Sequence, residues 1–160
     1  MKYRADLAVY GADGALQLLV EAKVRRNTSP DWAKQFLRNT YAHGQLPSVP
    51  YFLLALPGQW YLWCKVNAQE TGVDRSPDYI IDPHPFLQEH LARFNISSND
   101  QLDGLTGHHS LEWVITAWLD GIVAQQIVKS PFEGLAWLKN SGLFDAITGG
   151  RVEVEAVIGA

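Results

Sequence analysis

Apolar and polar positions alternate or cluster along this chain in a way that predicts its elements. Arg4-Ala5-Asp6-Leu7-Ala8-Val9-Tyr10 and Leu18-Leu19-Val20-Glu21-Ala22-Lys23 are strand-like, and Gly11-Ala12-Asp13-Gly14 between them is a turn signal. Strands are expected over 4–10 and 15–23. Ser29 is suited to cap a following helix, with Pro30 in its first turn and Asp31 complementing its dipole. Ala33, Phe36, Leu37, Thr40 and Tyr41 form the inner stripe of that helix, and Gly44 ends it. Tyr51-Phe52-Leu53-Leu54-Ala55-Leu56 is a continuous apolar run, as for a strand covered on both faces. Pro57-Gly58 turns it into a further strand, Gln59-Trp60-Tyr61-Leu62-Trp63-Cys64, and residues 66–78 read as an exposed loop.

The second half is more helical. Tyr79-Ile80-Ile81 is a short strand, and Pro83 to Phe94 a short helix. Leu111, Val114, Ile115, Trp118, Leu119, Ile122 and Val123 repeat at three and four, which predicts a core-facing helix. Its start is expected at His108-His109, with Ser110 as N-cap. A seam between two copies, giving a homodimer, is the alternative use of that stripe. Ser130-Pro131 opens another helix ending near Asn140-Ser141-Gly142. Val152, Val154, Ala156 and Ile158 then alternate with Glu153 and Glu155, as in a strand at a sheet edge or paired with a second chain. No repeat or linker divides the sequence. One domain over 1–160 is expected, with a region 1–65 of strands around a helix and a helical and C-terminal strand region 79–160.

Composition narrows the function classes. The chain has 160 residues, 47% hydrophobic and 19% charged, which are ordinary globular values. A single cysteine excludes an internal disulfide framework and a cysteine-based metal cluster, and suits a reducing cytoplasm. No signal peptide is apparent, and no stretch reaches the ~20 apolar residues of a membrane span. The net charge of −4 argues against indiscriminate nucleic-acid binding. Its distribution changes that picture. Residues 1–43 hold seven Lys/Arg and four Asp/Glu, a net of +3, whereas residues 44–160 hold six and thirteen, a net of −7. Lys23, Arg25, Arg26, Lys34 and Arg38 make up a local basic cluster.

Candidate chemistry lies in the first hairpin. If Asp13-Gly14 is a two-residue loop, residue numbers across the ladder sum to 27 and Asp6 faces Glu21. Glu21 and Lys23, two apart, share a face. Two carboxylates and an ammonium then project from one patch of an otherwise apolar hairpin, which is costly unless they are paired or bind a metal. Carboxylate oxygens are the usual ligands of Mg²⁺. Such an ion polarises a phosphoryl oxygen and acidifies a bound water. This is the chemistry of phosphodiester hydrolysis. A Gly-rich phosphate loop, a Gly-x-Ser-x-Gly elbow and a His-Glu-x-x-His sequence are all missing, and His84, His90, His108 and His109 lack metal-ligand spacing.

Asp6 with Glu21-Ala22-Lys23 resembles the core motif of the PD-(D/E)XK nucleases, the restriction-endonuclease-like superfamily. It is similar in flavour to the N-terminal nuclease domains of type I restriction subunits. The resemblance spans residues 1–65. It implies an α/β fold, a restriction-endonuclease-like mixed β-sheet flanked by α-helices. It also implies Asp6 and Glu21 as ligands of Mg²⁺ or Mn²⁺, Lys23 as catalytic lysine, and Gln35 on the following helix as a supporting residue. Arg25, Arg26, Lys34 and Arg38 would contact a nucleic-acid backbone, DNA rather than RNA. Ala5 stands where the motif carries proline. The family usually places a helix ahead of the Asp, and only a few residues precede Asp6 here: either the protein lacks that helix, or a later segment or a partner supplies it, or the chain is a fragment of something larger. The rival reading is a catalytically inactive nuclease-fold module that binds a protein or nucleic-acid partner.

Overall fold

A computed structural model describes residues 2–44, 46–70, 74–93, 108–125 and 135–159. The strands are β1 (Tyr3–Tyr10), β2 (Leu16–Ala22), β3 (Val49–Ala55), β4 (Trp60–Val66), β5 (Tyr79–Ile81) and β6 (Arg151–Ile158). The helices are α1 (Pro30–Asn39), extended by a π-helical turn over Thr40–Gly44, then α2 (His84–Arg93), α3 (His108–Val123), α4 (Ala136–Asn140) and α5 (Leu143–Ile147). The protein is mixed α/β. Among the described residues six strands form one sheet in the order β5-β4-β3-β2-β1-β6. Only the β2–β3 pair is parallel, as required when the helix α1 links them; every other pair is antiparallel.

Both faces of the sheet are covered. Leu7, Val9, Leu18, Val20, Leu53, Trp60 and Leu62 pack with residues of α2 to α5 on one face. Ala8, Leu19, Phe52, Leu54, Tyr61 and Trp63 pack with Ala33, Leu37 and Tyr41 of α1 and its π turn on the other. The apolar run in β3 is therefore covered on both sides, as its lack of alternation predicts. On the multi-helix face Trp60 meets Phe86 and Trp118 edge-on, with ring centroids 5.3 and 5.2 Å away. The stripe of α3 is buried in this core, so the core-facing expectation describes it. Among the described residues no helix is long and apolar enough to cross a membrane.

Two expectations need correction. Ser110 lies inside α3, which already includes His108, and so does not stand before it as N-cap. In β6 the alternation is not uniform: Ala156 is buried but Val154 is 53% exposed. The helix start expected at Ser130-Pro131 lies outside the described residues.

The departure in β6 has a cause shared with β1. Tyr3 and Ala5 pack in the α1-side core, whereas Leu7 and Val9 pack on the opposite face, although all four are odd-numbered. The ladder to β6 pairs Tyr3 with Ile158, Arg4 with Val157 and Ala5 with Ala156, then resumes at Leu7 with Val154. The omitted position is Asp6 opposite Glu155, and Glu155 has φ +49°. A left-handed residue breaks the two-residue repeat of a strand. Both strands thus change faces together without losing register. The same event recurs at Pro50 and Lys65, where Lys65 has φ +55° and the pairing passes from Val49–Val66 to Tyr51–Cys64.

Candidate functional site

The hairpin reaches the expected register by an unexpected route. Val9–Leu18, Ala8–Leu19 and Leu7–Val20 all sum to 27, but Tyr10 faces Leu16. The turn is a three-residue loop: the Gly11 N–H donates to the Ala15 carbonyl at 2.8 Å, and Gly14 supplies φ +86°. That loop alone would shift the count by one. An extra residue in β2, Gln17, restores it as a β-bulge.

Beyond Leu7–Val20 the ladder between β1 and β2 stops, although β1 runs on to Tyr3 and β2 to Ala22. The two strands splay here. β2 stays with β3, through Ala22 beside Ala55 and the Lys23 N–H donating to the Ala55 carbonyl at 3.1 Å. β1 follows β6. The Asp6 carboxylate enters the gap, where its Oδ2 accepts the Ala22 N–H at 2.8 Å. A side chain thereby replaces the missing main-chain acceptor.

Glu21 lies on the α1 face, between Val20 and Ala22, which point the other way. It is partly buried, and the Tyr3 phenol donates to its Oε1 at 2.5 Å. Burial, the largest cause, pushes the Glu21 carboxyl up to about 7. The Tyr3 hydrogen bond opposes that shift; the negative charge of Asp6 and a hydrogen bond between the two carboxyl groups add to it; Lys23 lowers it. Burial also pushes the Tyr3 phenol above its ordinary range, with Glu21 and Asp6 adding to it, so it remains a donor at neutral pH. Lys23 itself is exposed. The structure thus brings Asp6, Glu21 and Lys23 into one electrostatic unit and adds Tyr3, which the sequence reading passed over.

The remaining candidates lie on the connection to α1 and on α1 itself. The Arg25 guanidinium sits 5.1 Å above the Trp32 ring. Thr28 Oγ1 and the Tyr61 hydroxyl are 2.9 Å apart, and Ser29 caps α1 by accepting the Trp32 N–H at 3.1 Å. The expected cap is therefore present, and the loop carrying Arg25 and Arg26 is anchored on both sides of them. Lys34 pairs with Asp31 at 3.8 Å and Arg38 with Asp74 at 3.2 Å. With Gln35 and Asn39 these four line an open depression of about 580 Å³. Asp6, Glu21 and Lys23 are not among its walls. Gln35 is exposed there, and the structure does not bring it to the carboxylate pair.

Two carboxylates on adjacent strands, one of them raised chiefly by burial, are a donor set that suits a hard divalent cation. Asp6 and Glu21 are the residues that could hold such an ion; among the described residues no group of three or more His, Cys, Asp or Glu comes together. Comparison with protein-family models, with curated proteins and with solved structures gave no match.

Proposed function

We propose that the chain is a Mg²⁺- or Mn²⁺-dependent nuclease of restriction-endonuclease-like fold, hydrolysing phosphodiester bonds in nucleic acid, DNA rather than RNA. The observation that carries this reading is the Asp6–Glu21–Lys23 cluster at the splayed end of β1 and β2. A carboxyl pushed up to about 7 beside a second carboxylate marks a place where positive charge would be stabilised. The sheet order adds support. The helix β2-to-β3 crossover, with β4 beyond, carries the motif strand as the resemblance implies. A helix from a later segment, α3, packs against β1, β2 and β6, which is compatible with this reading.

In this reading Asp6 and Glu21 hold the ion, which when bound would polarise a phosphoryl oxygen and acidify a water. Lys23, exposed beside them, orients the attacking water and meets negative charge developing on the phosphate. Arg25 and Arg26, exposed on the loop that follows Lys23, would meet flanking phosphates. Lys34 and Arg38 are farther along α1 and already face Asp31 and Asp74. Phosphate would have to compete for them, so they contribute less to affinity than a simple count of cations suggests. The test is cleavage of supercoiled plasmid and of RNA in Mg²⁺ or Mn²⁺, comparing wild type with Lys23→Ala. Circular dichroism establishes that both are folded. Cleavage lost in the variant supports the assignment; cleavage that survives overturns it.

The ion pairs on α1 and the net −7 over residues 44–160 favour a second reading, a nuclease-fold module without catalysis that binds a protein partner. A folded wild type that binds Mn²⁺ weakly or not at all and cleaves nothing supports that reading.

A further inference from the structure

Tyr3 sits three residues before Asp6, and strict alternation would place the two on opposite faces of β1. The reversal at Asp6 and Glu155 puts the Tyr3 ring in the α1-side core instead, on the face of Glu21. The ring is 5% exposed, too buried to meet a substrate. Its hydroxyl nevertheless donates to Glu21 Oε1 at 2.5 Å.

We propose that Tyr3 is a positioning residue of this site, its phenol fixing the Glu21 carboxylate in the orientation from which Glu21 and Asp6 together hold a divalent cation. The inference rests on the metal-site reading of those two carboxylates. A phenol has one proton to give, so it engages one carboxylate oxygen, and a bound ion would take the place of the hydrogen bond that Glu21 makes with Asp6. A glutamate ordered in this way has already lost rotamer freedom, which an unrestrained glutamate would lose on binding. One backbone feature therefore serves both carboxylates: it seats Asp6 in the gap beside Ala22 and brings the Tyr3 hydroxyl to Glu21.

The experiment is Mn²⁺ calorimetry on the full chain at pH 7 for wild type, Glu21→Gln, Tyr3→Phe and Tyr41→Phe. Tyr41 is a buried tyrosine of the same core, next to Glu70 and Arg75 rather than to the site. Tyr3→Phe is expected to weaken Mn²⁺ binding by about 10-fold or more, the usual effect of deleting a group that orients a ligand, while Tyr41→Phe leaves it unchanged. Equal affinity in Tyr3→Phe and wild type overturns the role of Tyr3 and leaves the metal site standing. Wild type that binds no Mn²⁺ at millimolar concentration overturns both. If Tyr3→Phe does not fold, the wild type decides through its ¹³C-labelled tyrosines. A Tyr3 Cζ resonance that moves with Mg²⁺ until saturation supports the proposal, and one unmoved at saturation overturns it.

Discussion

The Asp6 carboxylate accepts the Ala22 N–H at 2.8 Å, at the point where the β1–β2 ladder has ended. Asp6 therefore has a structural duty besides its charge, and two substitutions separate them. Asp6→Ala leaves the Ala22 amide without its acceptor and is expected to cost about 1–3 kcal/mol. Asp6→Asn keeps a carbonyl oxygen in place and should stay within about 1 kcal/mol of wild type. Urea denaturation measures both. Equal losses would mean that the bond contributes little. Asp6→Asn should also bring the Glu21 carboxyl down toward its ordinary range, because the Asp6 charge helps to raise it.

Stability without metal should depend on pH through Glu21. Its carboxyl is at about 7 in the folded chain against an ordinary 4.5. Between those values the folded state holds more protons than the unfolded state, so stability falls as pH rises and the contribution is gone above about 7. Glu21→Gln removes this dependence while keeping an acceptor for Tyr3. The variant should match wild type near pH 4.5 and exceed it at pH 8, by about 2–3 kcal/mol at most. Thermal melts across that range provide the comparison, and parallel curves would refute the assignment.

Glu155 is left-handed at φ +49°, where a β-branched residue is strongly disfavoured. Glu155→Val should therefore destabilise the protein by about 1–3 kcal/mol, whereas Glu155→Gly should be neutral or mildly stabilising. If valine is tolerated as well as glycine, the reversal of β6 does not depend on that backbone conformation. Chemical denaturation of the two variants distinguishes the cases.

Gly150 has no room for a side chain. A Cβ built there would lie 1.7 Å from the Tyr10 carbonyl oxygen, a backbone atom that cannot rotate away. Gly150→Ala is expected to cost more than about 3 kcal/mol or to prevent folding, by forcing β6 away from β1. A melting temperature near that of wild type would contradict this.

The local elements were legible because their signals are local. Ser29 and Pro30 start α1, the uninterrupted apolar run of β3 has both faces covered, and the stripe of α3 meets the core. The register of the hairpin, which ends at Leu7–Val20 one step before Asp6 and Glu21, was legible only in sum. A two-residue loop and a three-residue loop with the Gln17 bulge give the same count, and the sequence pattern does not separate them. Tyr3 was hidden for a different reason. Its place on the Glu21 face depends on a reversal shared with residue 155, and no pattern within either strand announces it. Gln35 shows the opposite case: its position on α1 follows from sequence, but its surroundings include Asp74, which arrives from a distant loop.

The pairing of β6 with β1 joins residues 151–158 to residues 3–10, almost the full length of the chain apart. Such a contact is the slowest kind to close, and during synthesis it must wait for β6, which follows the other five strands described. The hairpin that carries Asp6 and Glu21 can form as soon as its own residues are made. The partner strand whose left-handed Glu155 accompanies the turn of Tyr3 toward Glu21 is made after the other five strands described. A nascent or C-terminally shortened chain would thus hold both acids in sequence before it holds them in their final arrangement. Assembly of the site becomes a late event in folding, tied to completion of the whole sheet.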